Sequence, residues 1–319
     1  MKKRIVKCFA LFLSAALALT ACGGGGAQEV RLTFATGGVA GTYYPLGGEM
    51  AAVVNNHTNL NITSVASGAS ADNVQQIGNG DAHMAIVQND VMSYAFYGTG
   101  FWEDRPTITN MATLMSLYPE TVQIVVAADS DINSIEDLAG NRVSTGAVGS
   151  GVEANALQIL GVHGLSPDDM TVLHLGFGDS ANAMRDRQLD AFFVTAATPN
   201  AAVLELAVSR DLRILSIAPD KIAALMNSYA FYTQVTVDSN DYTFLTEPVQ
   251  TIAVQATLIA STDMDEQVAY DIVKTLIEKA DEISHGRGAY ILAENAVQSI
   301  SVDFHPGAAR YFREIGVLN

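Results

Sequence analysis

The feature that most constrains the fold is a unit that recurs along the chain: a short apolar strand, a loop of Gly, Ser or Asn, then an amphipathic helix. The first copy runs Val30–Ala35, then Thr36-Gly37-Gly38-Val39-Ala40-Gly41-Thr42-Tyr43-Tyr44, then a helix opening at Pro45. Proline suits the first helical position because its missing N–H would have no partner there. A strand over 62–66, Ser67-Gly68-Ala69 and a helix over 70–77 make the second copy, and 84–87 leads through Gln88-Asn89-Asp90 into a third. Such alternation predicts an α/β fold with a largely parallel sheet. A second block repeats it. Its strands are 122–127 (rich in β-branched residues), 142–145, 189–194 and 213–217, and its helices 152–161 and 201–208. Ser134 and Asp137 read as a capping box and Gly140 as a C-cap for a short helix over 134–140, and a glycine-rich loop spans 146–151. Segments 229–237 and 250–260 alternate like strands, 265–283 reads as a long amphipathic helix, and the tail through Phe312 as helical. The expected architecture is two α/β lobes with a cleft between them: residues 30–117 plus 251–319 in one, 118–250 in the other.

The first residues read as an address. Lys2, Lys3, Arg4 and Lys7 precede an apolar run from Phe9 to Leu19, the pattern of a secretory signal over residues 1–21. The run is too short for a transmembrane helix, and no other apolar run approaches the length of one. Leu19-Thr20-Ala21-Cys22 resembles the bacterial lipobox, and the glycines after it make residues 22–29 a flexible tether. The expectation is an exported chain, lipid-anchored through Cys22 at the outer face of the cytoplasmic membrane or in the periplasm; the alternative is an ordinary cleaved signal with an incidental cysteine. Cys8 and Cys22 are the only cysteines, so residues 23–319 carry no thiol for a disulfide, a zinc site or a nucleophile. Net charge is −17, from 17 basic and 34 acidic residues; without the four basic signal residues it becomes 13 − 34 = −21. That surface excludes nucleic acid as a partner. It does not demand a cationic ligand, because exposed charge is screened within about 8 Å at physiological salt.

In open α/β sheets ligands sit beyond the carboxyl ends of the strands, where helix N-termini present unpaired N–H groups and partial positive charge. Four loops supply such ends: Gly41-Thr42-Tyr43-Tyr44, Gly68-Ala69-Ser70 with Asn73, Gln88-Asn89-Asp90, and Gly149-Ser150-Gly151. Ser70 and Ser150 either cap their helices or turn their hydroxyls to a ligand; Tyr43 and Tyr44 are either a ligand wall or core. None of these loops contains Arg or Lys, so a carboxylate would be read by backbone and neutral side chains. Charge-assisted hydrogen bonds of about 1.5–3 kcal/mol each, summed over several loops, reach the roughly −8 kcal/mol of micromolar binding.

Taken in order, several motifs resemble one family, the TAXI-type solute receptors of tripartite ATP-independent periplasmic (TRAP) transporters. They are Gly41-Thr42-Tyr43-Tyr44-Pro45, Ala66-Ser67-Gly68-Ala69-Ser70 with Asn73, Val87-Gln88-Asn89-Asp90 and Leu117-Tyr118-Pro119-Glu120. Further along come Ile135-Glu136-Asp137-Leu138-Ala139-Gly140, Gly149-Ser150-Gly151, Leu189-Asp190-Ala191-Phe192-Phe193 and His305-Pro306-Gly307-Ala308. The resemblance implies a two-lobed type II periplasmic-binding fold, a monomer that delivers a small carboxylate such as glutamate or 2-oxoglutarate to an ion-gradient-driven permease. It implies cleft roles for Tyr43, Ser70, Asn73, Gln88, Asp90 and Ser150. Ala69 stands where the family often has glycine, and Thr195 lies in a stretch, 193–199, that replaces a more usual glycine before the proline. Glu120 sits where the chain first crosses between lobes, either to meet a ligand ammonium or to serve the hinge.

A binding protein of the same fold serving an ATP-driven importer or a sensor is the near alternative. An enzyme is the distant one. A Rossmann fingerprint fails at Thr36, and there is no Walker A run, no G-x-S-x-G elbow and no H-E-x-x-H. His305 reads as structural, Asp168-Asp169 as solvated, and no cofactor or metal is implied.

Overall fold

The computed structural model describes residues 30–319; the expected signal and tether, and the expected lipidation at Cys22, lie outside the described residues. The chain opens with β1 (Val30–Ala35), α1 (Tyr43–His57), β2 (Leu60–Val65), α2 (Ser70–Asn79), β3 (Met84–Gln88) and α3 (Asn89–Tyr97). It continues with β4 (Met111–Ala127), β5 (Arg142–Ser144), α4 (Gly151–Val162), β6 (Thr171–Leu173), α5 (Phe177–Arg185), β7 (Ala191–Ala196), α6 (Ala201–Ala207), β8 (Leu212–Ile214) and α7 (Pro219–Ser228). Then come β9 (Thr233–Val237), β10 (Val249–Ser261), α8 (Glu266–Glu278), α9 (Ala293–Ala296) and α10 (Pro306–Glu314).

All ten strands belong to one sheet, ordered β2-β1-β3-β10-β4-β7-β5-β6, with β8 added on β4 and β9 on β10. Its two ends are parallel, as the strand–helix alternation requires. Its middle is not. The β3/β10, β10/β4 and β4/β7 pairs are all antiparallel, which corrects the expectation of a largely parallel sheet. The cause is a pair of long strands: β4 has 17 residues and β10 has 13, and they run side by side through the centre. Residues 111–121 escaped a strand assignment because Pro119 and Glu120 interrupt the apolar run, yet every β4 residue but Pro119 is buried.

Other differences are local. The helix expected over 134–140 shrinks to one 3-10 turn, Glu136–Leu138. There the Asp137 carboxylate accepts from the N–H groups of Asn133 and Ser134, and Gly140 takes φ +77°. The helix expected over 265–283 ends at Glu278 and resumes as a 3-10 turn, Ala280–Glu282. Helices α5 and α7 had no sequence counterpart, being short and flanked by brief strands.

Among the described residues four apolar clusters pack on the sheet, and two of them show how its ends are covered. In one, Leu46 and Met50 of α1 meet Ile272 and Leu276 of α8 and Phe312 of α10. In the other, Ile159 of α4 and Leu225 of α7 meet Ile124, Val143 and Phe193. β10 serves both, giving Leu258 to the first and Ile252 and Val254 to the second. His305 caps α10: its Nδ1 accepts from the Gly307 N–H while Nε2 lies 3.0 Å from the Met264 carbonyl. The next residue shows how tightly α10 sits on α8. A Cβ at Gly307 would collide with the Glu266 carbonyl and stand 2.7 Å from the Tyr270 nitrogen. Backbone cannot yield as a side-chain tip does, so Gly307→Val should destabilise the fold by about 3 kcal/mol, read as a lowered midpoint in urea unfolding.

Candidate functional site

A cavity of about 410 Å³ lies at the carboxyl ends of β1, β3 and β7. Five helices start there. Thr42, Ala69, Gln88, Ser150 and Gly176 are the N-cap residues of α1, α2, α3, α4 and α5, and all five line the cavity. Each such end leaves backbone N–H groups without an intrahelical partner and adds positive potential. Among the described residues lining it there is no Lys, Arg or His; the acidic side chains are Glu120 and Asp179.

Of the residues singled out from sequence, Gly41, Thr42, Tyr43, Gly68, Ala69, Ser70, Gln88, Glu120, Ser150, Gly151 and Thr195 line this cavity. Tyr44, Asn73, Asn89, Asp90 and Gly149 do not. Tyr44 is 38% exposed. Asn73 stands one helical turn above the α2 cap, and its amide ties the end of β1 to β3 by donating to the Thr36 carbonyl at 2.6 Å and the Ile86 carbonyl at 2.7 Å. Asn89 accepts from the Gln255 N–H at 3.1 Å, and the Gly149 N–H donates to the Glu153 carboxylate at 2.7 Å. Asp90 is buried. One oxygen accepts from the Val91 N–H at 2.8 Å and the other from the Asn155 amide at 2.9 Å, linking α3 to α4. The geometry makes Asn73 and Asp90 supports for the cavity rather than its lining.

The lining itself is closely fitted. The Ser70 hydroxyl accepts from the Gln88 backbone N–H at 3.0 Å, and the Ser150 hydroxyl caps α4 by accepting from the Glu153 N–H at 3.2 Å. The Gln88 side chain lies so closely over Gly151 that a Cβ there would overlap its amide, so any larger residue at the start of α4 would push the Gln88 amide aside. Ala69 holds φ +72°, ψ −147°, a region that suits glycine. The backbone shape of a glycine is kept here with an alanine in it. Tyr43 donates its hydroxyl to Glu120 Oε2 at 2.6 Å. Burial pushes the Glu120 carboxyl well above the usual carboxylate range, with the Tyr43 hydrogen bond acting against it, and pushes the Tyr43 phenol up as well.

Sequence reasoning missed the start of α5, where Gly176, Phe177, Gly178 and Asp179 line the cavity opposite the first loop's Gly37, Gly38, Val39 and Ala40. The signal was present: Gly176-Phe177-Gly178 follows a strand as the other glycine loops do, but that strand, β6, has only three residues. A larger depression of about 660 Å³ lies elsewhere, lined by Asp131, Asp137, Asp190, Arg142, Arg187 and Arg210. None of its lining residues begins an α-helix, and Arg142 and Asp190 are already paired at 2.6 Å.

A cavity ringed by helix starts, on a sheet crossed by two long antiparallel strands, is the fold of the two-lobed periplasmic binding proteins. The structure aligns with the alkanesulfonate-binding protein of Xanthomonas axonopodis pv. citri bound to MOPS (TM-score 0.51, 16% identity, 90% of this chain and 84% of that one). It aligns with a protein of Bordetella bronchiseptica at TM-score 0.54 and 16% identity, covering 91% and 90%. A binding protein component of an ABC phosphonate transporter from Pseudomonas aeruginosa gives TM-score 0.51 at 9% identity over 83% and 78%. At the level of sequence, the chain belongs to the NMT1-like family, whose model matches residues 34–316.

Two outcomes follow for the site. Ala69→Gly should raise stability by about 1–2 kcal/mol, the relieved strain of ~1–3 less the extra freedom of an unfolded glycine, measured by urea denaturation. The Asp90 carboxyl is pushed up to about 6, chiefly by burial, against about 3.9 in an unfolded chain. A raised folded value means that its contribution is fully present below about pH 4 and is lost as pH rises through about 6. Asp90→Asn, uncharged throughout, should flatten stability over that window and stabilise the fold above about pH 7 by roughly 1–3 kcal/mol; chemical denaturation across pH checks this.

Proposed function

We propose that this chain is an exported solute receptor that closes two lobes, 30–117 plus 251–319 and 118–250, around a small carboxylate, and that it is not an enzyme. The observation that carries the reading is the meeting of five helix N-caps on one cavity whose described lining holds no basic side chain. An anion in that place is met by backbone N–H groups and hydroxyls, and glutamate and 2-oxoglutarate fall within the size and charge it suits. The cavity residues named above form the proposed binding set, with Asn73 and Asp90 as its supports. Lipid anchoring at Cys22 agrees with the export address in residues 1–21.

Two transport partners are compatible with such a receptor. The resemblance in the glycine–tyrosine motif favours an ion-gradient-driven TRAP permease. The phosphonate-binding relative, a component of an ABC transporter, favours an ATP-driven importer, and we take the ATP-driven partner as the better supported. Uptake into proteoliposomes bearing each candidate membrane component, with ATP or with an ion gradient alone, separates the two.

The receptor reading itself is tested by heat of binding for the protein stripped of retained ligand, with X-ray scattering on the same samples. Micromolar or tighter binding of one small carboxylate, with contraction of the particle, is expected. Ser150→Ala should weaken that binding about tenfold or more while the unfolding midpoint falls only by the loss of one cap, about 1 kcal/mol. Unchanged affinity in this variant would remove the α4 start from the site.

A further inference from the structure

The anion reading leaves one part of the cavity without a role. Its floor carries oxygen acceptors and no cation. On the sheet, Gln88 of β3 lies opposite Ala256 of β10, and Glu120 of β4 lies opposite Val254. Val254 and Ala256 are two residues apart on one strand, so Gln88 and Glu120 share a face. Thr195 of β7 lies opposite Val122, two residues along from Glu120, and falls on that face too. All three side chains line the cavity and are nearly fully buried, at 2%, 2% and 4% exposure for Gln88, Glu120 and Thr195.

Two of the three hold an oxygen with no protein partner: Gln88 Oε1, which can only accept, and Thr195 Oγ1. The third is the carboxyl of Glu120, whose Oε2 accepts from the Tyr43 hydroxyl at 2.6 Å and whose other oxygen has no basic side chain among the cavity's described lining to pair with. Buried ions are ordinarily paired. The other acidic side chain lining the cavity is Asp179. A buried acid among unsatisfied acceptors calls for a cation that brings several N–H donors, and a primary ammonium brings three.

We propose that Glu120, positioned by Tyr43 and flanked by Gln88 and Thr195, is an ammonium subsite, so that the solute is a zwitterion or amine rather than a simple acid. This rests on the receptor reading and narrows it, because it separates amino acids from the keto and dicarboxylic acids of the same size and anionic charge. Glu120 would bind the cationic nitrogen from the sheet side while the helix starts hold the anionic end. Burial holds a proton on Glu120 while the cavity has no cation in it, and an ammonium ligand displaces that proton. Affinity for an amine-bearing solute therefore rises with pH. Asp90 is the acid that acts on Glu120 through space, and its ionisation works in the same direction by opposing a second negative charge until a cation arrives.

The experiment is titration calorimetry on the stripped full receptor at several pH values, with matched probes. Glutamate, glutamine, alanine and putrescine carry an amine; 2-oxoglutarate, glutarate and succinate do not. The expected result is binding by an amine-bearing probe at least 50-fold tighter than by its amine-free counterpart, with affinity rising with pH and a proton released. Glu120→Gln, which keeps the size and a partner for Tyr43, should lose at least 50-fold for the amine probe and become independent of pH; retained thermal unfolding shows that the fold survives. Equal or preferential binding of the amine-free acids, or affinity that falls with pH, overturns the ammonium subsite and leaves the carboxylate receptor standing. Binding of putrescine alone keeps the subsite and overturns the carboxylate reading. Silence from every probe overturns both.

Discussion

The antiparallel pairing of β4 with β10 is the contact on which everything else hangs. Pairs run from Ala253 with Thr121 to Ser261 with Met111, interrupted by two register shifts. Each strand reaches into both halves of the molecule, so the parallel end sheets, built from local strand–helix units, are joined edge to edge into one. Without this spine each end would be a small parallel sheet with an open edge, which is uncommon because such sheets need both faces and their edges covered. The spine also sets the cavity. The β1 and β3 ends come from one side and the β7 end from the other, and they meet where β4 and β10 bring Glu120 and Val254 together.

Around that point the structure gathers positive potential without basic residues, and places a carboxylate among it. Helix starts are cheap sources of positive field because the chain must begin its helices somewhere, and five begin here. They are also precise, since backbone moves less than a lysine stem. The cost appears in the details: an alanine held at φ +72°, a glycine pressed under a glutamine, and buried oxygens left without partners. Strain and unmet polar groups gather at binding sites because a ligand supplies what the fold does not.

How much of this could be read from sequence follows physical lines. The strand–glycine–helix units were legible because they depend on local periodicity: β1 spans Val30–Ala35 as expected, and α4 begins one residue before its expected start. The central strands were legible only in part, since β4 contains Pro119 and a buried acid, and its burial depends on partners distant in sequence. The cavity was legible at helix caps and obscured one turn beyond. Ala69 and Ser70 line it, whereas Asn73 on the same helix turns into the body and ties β1 to β3. Side-chain direction at a helix start is set by the tertiary packing of the whole helix, which a motif does not encode. The α5 start was missed for a related reason, because β6 before it has three residues and leaves almost no periodic trace.

The place of β10 in the chain has a consequence for how the molecule is made. It is the strand that β3, β4 and β9 all need, and it begins only at Val249. A chain emerging from its N-terminus therefore presents almost all of its apolar strands before the one that seals them. Neither half can close its sheet early, and long-range pairing of this kind is slow to form. The two parallel ends are joined only once the last quarter of the chain is present, so the final strand decides when the whole sheet closes.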